Sequence, residues 1–307
     1  MAVTILSQDG VADPAALTDL AQRATRADGD PPFSDQTLVD VRSARAGLRS
    51  VTATEDGALV GSALINPDSD QASTFTVELV VDPERRGAGI GAALAREVRG
   101  QVEGTVEAWA HGDHPGARRL AETYGLTAVR DLHRLKRGLR GSSDLPLPVD
   151  LAEGLEIRPF EQNRDENGWL RVNAQAFSDH PEQGRMTLDD LRQREAEEWF
   201  DAPGFFLAVR ADDPEDIQGF HWTKIHPASD GSPAMGEVYV VGISPEQQGR
   251  GLGKALTAAG INYLAGQDLE HVMLYVDGDN APAMALYEKL GFERWHLDVM
   301  FRGEITG

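Results

Sequence analysis

One loop occurs twice in this sequence, and it limits the folds that the chain can adopt. Val238–Leu256 (VYVVGISPEQQGRGLGKAL) is a β-branched run, a turn that contains proline, and a glycine-rich segment that opens into a helix-forming stretch. Leu79–Leu94 (LVVDPERRGAGIGAAL) has the same order. A strand followed by a glycine loop and a helix start directs several backbone N–H groups and the positive helix end at one point, which suits a pyrophosphate. We therefore expect two phosphate-binding loops.

The repetition extends beyond the loop, which indicates two copies of one fold. Tyr124-Gly125-Leu126 corresponds to Leu290-Gly291-Phe292, and each triplet ends a helical stretch. The chain has 307 residues, enough for two domains that each bury a core. The stretch Lys136–Gly154 is rich in Gly, Ser and Pro and has no hydrophobic period, so the linker is expected within it, at 141–153. The predicted domains are therefore 1–140 and 154–307.

Composition excludes several classes of function. The net charge of −21 argues against a nucleic-acid partner, because phosphate recognition needs clustered Lys and Arg. The chain has no cysteine, so disulfides and thiolate zinc sites are excluded, and no His and carboxylate spacing indicates another metal site. No signal peptide and no apolar run of about 20 residues is present, so no membrane partner is expected. These features favour a cytoplasmic protein, which we expect to be a monomer.

Local signals define several elements of the first copy. Asp13 precedes Pro14 and a stretch of apolar residues at helical spacing, which predicts a helix over 13–27 with Asp13 as its N-cap. Asp56-Gly57 separates two strand-like runs and predicts a hairpin. The last strand of the first copy is expected over 127–136, and the last strand of the second over 294–302.

The loop and a downstream helix together resemble the GNAT superfamily of acetyl-CoA-dependent N-acetyltransferases, in tandem. The matching patterns are [QR]-x-x-G-x-[GA] and N-x-x-A-x-x-x-Y-x-x-x-G-F, the latter over Asn280–Phe292. The resemblance implies an α+β fold with two domains, each a mostly antiparallel, bulged and splayed mixed sheet flanked by helices. It also implies that the loop holds the coenzyme A pyrophosphate and that a bulged strand binds the pantetheine arm, with Gly242 fitting the bulge. The implied acetyl-CoA contacts are Leu79, Val80, Val81, Arg86, Gly87, Ala88, Gly89, Ile90, Gly91, Ala92, Val241, Gly242, Ile243, Gln248, Gly249, Arg250, Gly251, Leu252, Gly253, Lys254, Asn280, Ala281, Pro282, Ala283, Met284 and Ala285.

The two copies differ in the groups that could handle protons. Transfer of acetyl to an amine needs a carboxylate to accept the amine proton, and a phenol can donate one to the leaving thiolate. The second copy has Glu237 on the strand before the loop and Tyr287 on the downstream helix, where the first copy has Phe75 and Ala121. Glu78 is nearby, but it aligns with Val240 and is expected to face elsewhere. Catalysis is therefore expected only in the second copy, with Glu237 as base and Tyr287 as acid.

The segment 176–184 (AFSDHPEQG) is similar to the mycothiol synthase family within this superfamily. That resemblance implies acetylation of the cysteinyl amine of cysteinyl-glucosaminyl-inositol, the last step of mycothiol biosynthesis, with release of CoA. Asp35 stands where a longer acidic residue is expected, and the alternative role for it is a helix N-cap. The implied substrate contacts are Asp35, Asp179, His180, Glu182, Lys224, Glu237 and Tyr275.

Two other functions remain open from the sequence. One is an acetyltransferase that acts on a different amine, such as an antibiotic or a protein N-terminus. The other is an acyl-CoA sensor in which neither copy catalyses, which the presence of Glu237 and Tyr287 in one copy argues against.

Overall fold

A computed structural model describes residues 3–68, 71, 73–178, 183–228 and 233–306. The chain forms two compact units, and each is built from more than one segment of the sequence. The first unit comprises Met1–His133, Asp277–Asp279 and His296–Gly307, and the second comprises Arg134–Val276 and Asn280–Trp295.

The first unit is a sheet with helices on both faces. Its strand order is β1-β2-β3-β4-β5-β12, antiparallel except for the parallel pair β4 and β5. The elements in this part of the chain are β1 (Thr4–Asp9), α1 (Pro14–Asp28), α2 (Asp35–Arg42), β2 (Arg49–Glu55), β3 (Ala58–Pro67), β4 (Thr74–Val81), α3 (Ile90–Arg99), β5 (Gly104–Ala110), α4 (Pro115–Thr123) and β6 (Thr127–Gly138).

The second unit repeats this plan. Its strand order is β6-β11-β10-β9-β8-β7, and β10 and β11 form the parallel pair. The elements are β7 (Leu155–Pro159), α5 (Glu166–Ala176), α6 (Leu188–Glu195), β8 (Phe205–Arg210), β9 (Asp213–His226), β10 (Met235–Ile243), α7 (Leu252–Ala265), β11 (His271–Asp277), α8 (Ala281–Lys289) and β12 (Glu293–Ile305). No helix among the described residues is both long and apolar enough to cross a membrane.

The last strand of the chain belongs to the first unit. From His296 onward β12 is part of that unit, and it pairs with β5 from Val299 opposite Ala110 to Ile305 opposite Gly104. The part of β6 from Arg134 onward belongs to the second unit. Thus β6, the last strand of the first repeat, contributes to the second unit, and β12, the last strand of the second repeat, contributes to the first unit.

Local chemistry explains the elements that lead to the site. The Asp13 carboxylate accepts a hydrogen bond from the Ala16 N–H at 2.9 Å and caps α1, as predicted. The hairpin between β2 and β3 is also confirmed, with Asp56 and Gly57 at φ of 51° and 84°, the left-handed values that such a turn needs.

Each sheet has a distinct core on either face. In the second unit, α7 and α8 cover one face with mostly aliphatic residues, and an aromatic cluster under α5 and α6 fills the other. In that cluster Phe205 stacks on Trp222 at 4.4 Å, while Trp169 meets both ring systems edge-on. Aromatic packing of this kind gives the β9–β10 face a rigid support.

Candidate active site

The two parallel strands of the second unit separate where the predicted base lies. β10 and β11 pair at Gly236 with Val272 and at Glu237 with Met273, and no later pair is recorded for these fully described strands. The β10 backbone from Val238 to Ile243 is therefore free on that side. An exposed strand edge of this kind can accept an extended, amide-bearing chain such as pantetheine.

A bulge sits within this strand, but not at the predicted position. The register between β10 and β9 shifts between Val238 and Val240, so Tyr239 is the additional residue, whereas Gly242 pairs regularly with Phe220. The expectation that Gly242 marks the bulge was wrong. A Cβ on Gly242 would lie 2.5 Å from the Phe220 ring, so close packing of that ring explains the glycine.

The loop of the second unit has the geometry of an anion site. Gly249 and Gly251 have φ of 74° and 84°, and a Cβ on either would meet nothing within 4 Å, so their surroundings are open. Gly251 is the N-cap of α7 and no side chain caps this helix. The first N–H groups of α7 therefore point outward without a side-chain acceptor, and the helix dipole adds positive potential. This arrangement fits a pyrophosphate.

The cations beside the two loops differ in whether they form ion pairs with carboxylates of the described residues. Arg250 and Lys254 are exposed, and neither forms an ion pair with any residue that the structure describes. In the first unit, by contrast, Arg86 makes a two-point contact with Asp28, with both N–O distances at 2.7 Å. Burial alone would lower the pKa of Arg86, but the hydrogen bond to Asp28 is the larger effect and raises it. The first loop therefore offers a phosphate less free positive charge.

Glu237 is a buried carboxylate at the point where the strands separate. Only 5% of the residue is exposed, and its Oε2 lies 2.6 Å from Nε2 of His226. Because β-strand side chains alternate, Glu237 points away from α7, whose side chains pack against the neighbouring Val238. It therefore faces the same side as the aromatic cluster.

Lys224 is opposite Glu237 in the strand register, yet its ammonium is turned elsewhere. The Nζ atom lies 4.9 Å from the Trp199 ring centroid and 5.4 Å from that of Tyr239. No ion pair between Lys224 and Glu237 is found in the described part of the chain. The cation–π contacts hold the lysine along the wall next to the carboxylate.

Tyr287 is a buried phenol on α8. It is 9% exposed and meets Phe292 edge-on at 5.7 Å. Burial raises its pKa to about 12, because the phenolate would lose its hydration. The group is therefore fully protonated near neutral pH.

Three other predicted contacts lie in the same unit. Tyr275, on β11, is 44% exposed, and the Arg134 guanidinium lies 5.9 Å from its ring centroid. Asn280 caps α8, since its side chain accepts a hydrogen bond from the Ala283 N–H at 3.2 Å. A Cβ on Gly253 would make only ordinary contacts with Ile243 and Leu286, at 3.7 and 3.9 Å.

The bulge changes which residue of the first unit corresponds to Glu237. Glu237 is six residues before Ile243, but its partner Lys224 is only five residues after Gly219, the partner of Ile243. The β3–β4 register has no such shift, so five steps before Val81 give Thr76. The expected counterpart, Phe75, was therefore wrong by one residue.

Glu78 faces the same side of its sheet as Thr76, contrary to expectation. Period-two alternation places 76, 78 and 80 on the face opposite α3, and Val80 packs with the α1 core. Glu78 is 2% exposed, and its Oε1 accepts a hydrogen bond from the Ser34 N–H at 2.9 Å. Phe75 packs with the α3 core on the opposite face, together with Val77.

Glu78, His111 and Asp298 form a buried cluster in the first unit. His111 Nε2 lies 2.8 Å from Glu78 Oε1, and His111 Nδ1 lies 3.1 Å from Asp298 Oδ2. Burial by itself would lower the pKa of His111, but the hydrogen bonds to Asp298 and Glu78 outweigh it and raise the pKa to about 9. The imidazole is therefore a cation that ties β5 to β4 and β12.

A cavity of about 570 Å³ lies in the first unit and reaches from the loop to His111. Its wall includes Leu79–Val81, where β4 continues past its last pair with β5, and Gly87–Ala92 without Ala88. Gly89 caps α3 in the left-handed conformation, again without a side-chain cap. The volume is in the range of small-molecule sites, and the geometry matches the loop of the second unit.

Several predicted substrate contacts are not placed by the structure. Asp179, His180 and Glu182 lie outside the described residues. Asp35 is the first residue of α2, but its side chain is not described. The N-cap of α2 is Ser34, whose hydroxyl accepts from the Thr37 N–H at 3.1 Å, so the alternative role for Asp35 was wrong. No group of three or more metal-ligating side chains occurs among the described residues.

Sequence reasoning missed two groups near Glu237 and one in the first unit. His226 is two residues after Lys224 on one strand face, so period-two alternation could have placed it beside Glu237. Trp199 is far from the site in sequence and gave no local signal. His111, in the first unit, contacts Asp298 far along the chain, which no local pattern indicates.

Comparisons with known proteins agree with this geometry. The model of the acetyltransferase (GNAT) family matches residues 15–126 and 170–292. A protein of Kocuria rhizophila named mycothiol acetyltransferase is 61% identical over 302 residues, covering 98% of this chain and 100% of that protein. Another of that name, from Renibacterium salmoninarum, is 48% identical over 92% of this chain and 85% of its own length.

Solved structures support the tandem architecture. A tandem GNAT protein from the clavulanic acid biosynthesis pathway has a TM-score of 0.74 at 20% identity, covering 100% of this chain and 99% of its own. A GCN5-related N-acetyltransferase from Sphaerobacter thermophilus has a TM-score of 0.72 at 25% identity, covering 99% of this chain and 96% of its own. At 20% identity, the similarity to the protein from the clavulanic acid pathway concerns the fold alone.

Proposed function

We propose that this chain, which belongs to the acetyltransferase (GNAT) family, transfers the acetyl group of acetyl-CoA to the cysteinyl amine of cysteinyl-glucosaminyl-inositol. The products are mycothiol and CoA. The observation that carries the choice of acceptor is the 61% identity, over almost the full chain, to a protein named mycothiol acetyltransferase. Use of acetyl-CoA follows from the family and is supported by the two uncapped helix starts behind glycine loops.

Catalysis is assigned to the second unit, with Glu237 as general base and Tyr287 as general acid. Glu237 accepts a proton from the acceptor nitrogen, directly or through water, as that nitrogen attacks the thioester carbonyl. The C–S bond then breaks, and Tyr287 donates a proton to the departing thiolate. Tyr287 carries its proton at neutral pH, as this role requires. An α-amine with a pKa near 8 already has a neutral fraction at pH 7–8, so a modest base suffices.

The acceptor is proposed to bind along the wall beside Glu237. Lys224 is held on this wall by the Trp199 and Tyr239 rings, and Tyr275 is an exposed aromatic on β11. A polyol with a free amine needs such donors and a carboxylate. The further contacts proposed from the resemblance are Asp35, Asp179, His180 and Glu182.

The first unit is proposed to bind acetyl-CoA without catalysing transfer. Its cavity of about 570 Å³ includes the loop and the free end of β4, which supports binding. The positions that match Glu237 and Tyr287 are Thr76 and Ala121, which cannot exchange protons in these roles. A nucleotide bound there would stabilise the unit by linkage.

We propose that the protein acts in the cytoplasm as a monomer.

Acceptor competition tests the proposed function. The purified protein receives acetyl-CoA labelled in the acetyl group, together with cysteinyl-glucosaminyl-inositol, an aminoglycoside and a peptide with a free N-terminus. Label is expected on the cysteine nitrogen of the pseudo-disaccharide. Preferential labelling of the aminoglycoside or peptide would overturn the choice of acceptor, and binding of acetyl-CoA without labelling of any amine would favour a sensor.

A further inference from the structure

His226 lies diagonally across the strand pair from the proposed base. It is the last residue of β9 and is opposite Met235, whereas Glu237 is opposite Lys224. Residues 224 and 226 share one strand face, as do 235 and 237. Diagonal neighbours in an antiparallel pair are within reach of long side chains, and here Nε2 of His226 lies 2.6 Å from Oε2 of Glu237.

The Glu237 carboxylate has no second side-chain partner among the residues that the structure describes. Lys224 is closer in register, but its ammonium is held against the Trp199 and Tyr239 rings. His226 therefore alone fixes the direction of the carboxylate within the described part of the site. The hydrogen bond occupies Oε2 and leaves Oε1 to receive a proton.

The two side chains differ in exposure. The side chain of Glu237 is 7% exposed, and that of His226 is 31% exposed. The carboxylate is thus enclosed and the imidazole forms its outer support. A buried group held by a single bond loses its orientation when that bond is removed, and small displacements of a catalytic group reduce rates strongly.

We propose that His226 is a positioning residue of the acetyl-transfer centre. It donates the Nε2 hydrogen to Oε2 of Glu237 and thereby aims Oε1 at the acceptor amine. This inference rests on the proposed role of Glu237 as base. His226 does not touch the reacting atoms, so its effect is expected on kcat and not on the binding of acetyl-CoA.

Two substitutions of His226 separate the effect of its hydrogen-bond donor from the effect of its side-chain volume. In His226→Leu the donor is lost while the volume is similar. In His226→Gln the amide nitrogen can take the place of Nε2 and restore the donor. We expect His226→Leu to lower kcat by roughly 10- to 100-fold with an unchanged KM for acetyl-CoA, and His226→Gln to remain within about threefold of wild type. If His226→Leu does not fold, His226→Asn, whose shorter amide falls short of Oε2, takes its place.

The double variant with Glu237→Gln identifies the residue through which His226 acts. If His226 only positions Glu237, then His226→Leu should change kcat by less than about twofold in the Glu237→Gln background. Wild-type kcat in His226→Leu, equal loss in His226→Gln, or an undiminished loss in the double variant would overturn the inference. Wild-type kcat in Glu237→Gln itself would instead overturn the assigned base, so the two failures are distinguishable.

Discussion

The cluster around His111 makes the stability of the first unit depend on pH. The pKa of His111 is raised to about 9 from an ordinary value of 6.5, because the contacts to Asp298 and Glu78 outweigh burial. A group whose pKa is higher in the folded state stabilises that state fully below the unfolded pKa. The contribution is therefore complete below pH 6.5, declines between pH 6.5 and 9, and is absent above this range.

The magnitude follows from the size of the shift. At about 1.4 kcal/mol per unit, the change from 6.5 to about 9 corresponds to roughly 3 kcal/mol. His111→Gln keeps an amide donor for Glu78 but cannot titrate. Between pH 6.5 and 9, the free energy of unfolding of the first unit should therefore fall by about 3 kcal/mol more in wild type than in the variant.

The assay must report on the first unit alone, because two units need not unfold together. Urea titrations at pH 6, 7.5 and 9, each followed by a pulse of hydrogen exchange and mass spectrometry, give separate transitions for peptides from β4 and β5. Peptides from β9 and β10 serve as an internal control. An identical pH dependence in wild type and His111→Gln would refute the reasoning.

Three further substitutions test other parts of the structure. Tyr287→Phe should lower kcat by about 100-fold and leave the Kd of acetyl-CoA unchanged, as measured by steady-state kinetics and calorimetry. Gly242→Ala should cost about 1–3 kcal/mol in urea unfolding of the second unit, because its Cβ would lie 2.5 Å from the Phe220 ring. Asp28→Asn should release Arg86 and tighten acetyl-CoA binding by the first unit by roughly two- to fivefold, detected as a shift in one of two calorimetric transitions. Equal affinity in that variant would show that Arg86 does not contact the nucleotide.

The loops were predictable because local sequence alone determines them. Gly249 and Gly251 adopt left-handed φ values that other residues rarely take, and the helix start follows directly. The cap at Asp13 was likewise predictable from a single side chain and its neighbours. Together these local signals were sufficient for the family fold and the proposed phosphate sites.

The bulge was not predictable because nothing in the sequence of β10 marks it. Tyr239 is a β-former that suits a regular strand, and the additional residue appears only in the register with β9. That single residue changed the counterpart of Glu237 from Phe75 to Thr76. Because the additional residue was not foreseen, Glu78 was also assigned to the wrong face of the sheet, although it lies on the same face as Thr76.

The strand exchange and the His111 cluster depend on contacts distant in sequence. β6 and β12 have similar alternating patterns, so periodicity cannot tell which sheet each strand completes. Asp298 reaches His111 only because the end of the chain joins the first unit. The raised pKa of His111 therefore could not be anticipated from the residues around it.

The most direct test of the account compares matched positions in the two units. Transfer of labelled acetyl to cysteinyl-glucosaminyl-inositol is measured for Glu237→Gln and for Thr76→Ala, its counterpart in the first unit. The account predicts a loss in kcat of about 10²- to 10⁴-fold for Glu237→Gln and a wild-type rate for Thr76→Ala. A wild-type rate in Glu237→Gln, or a comparable loss in Thr76→Ala, would contradict catalysis by the second unit.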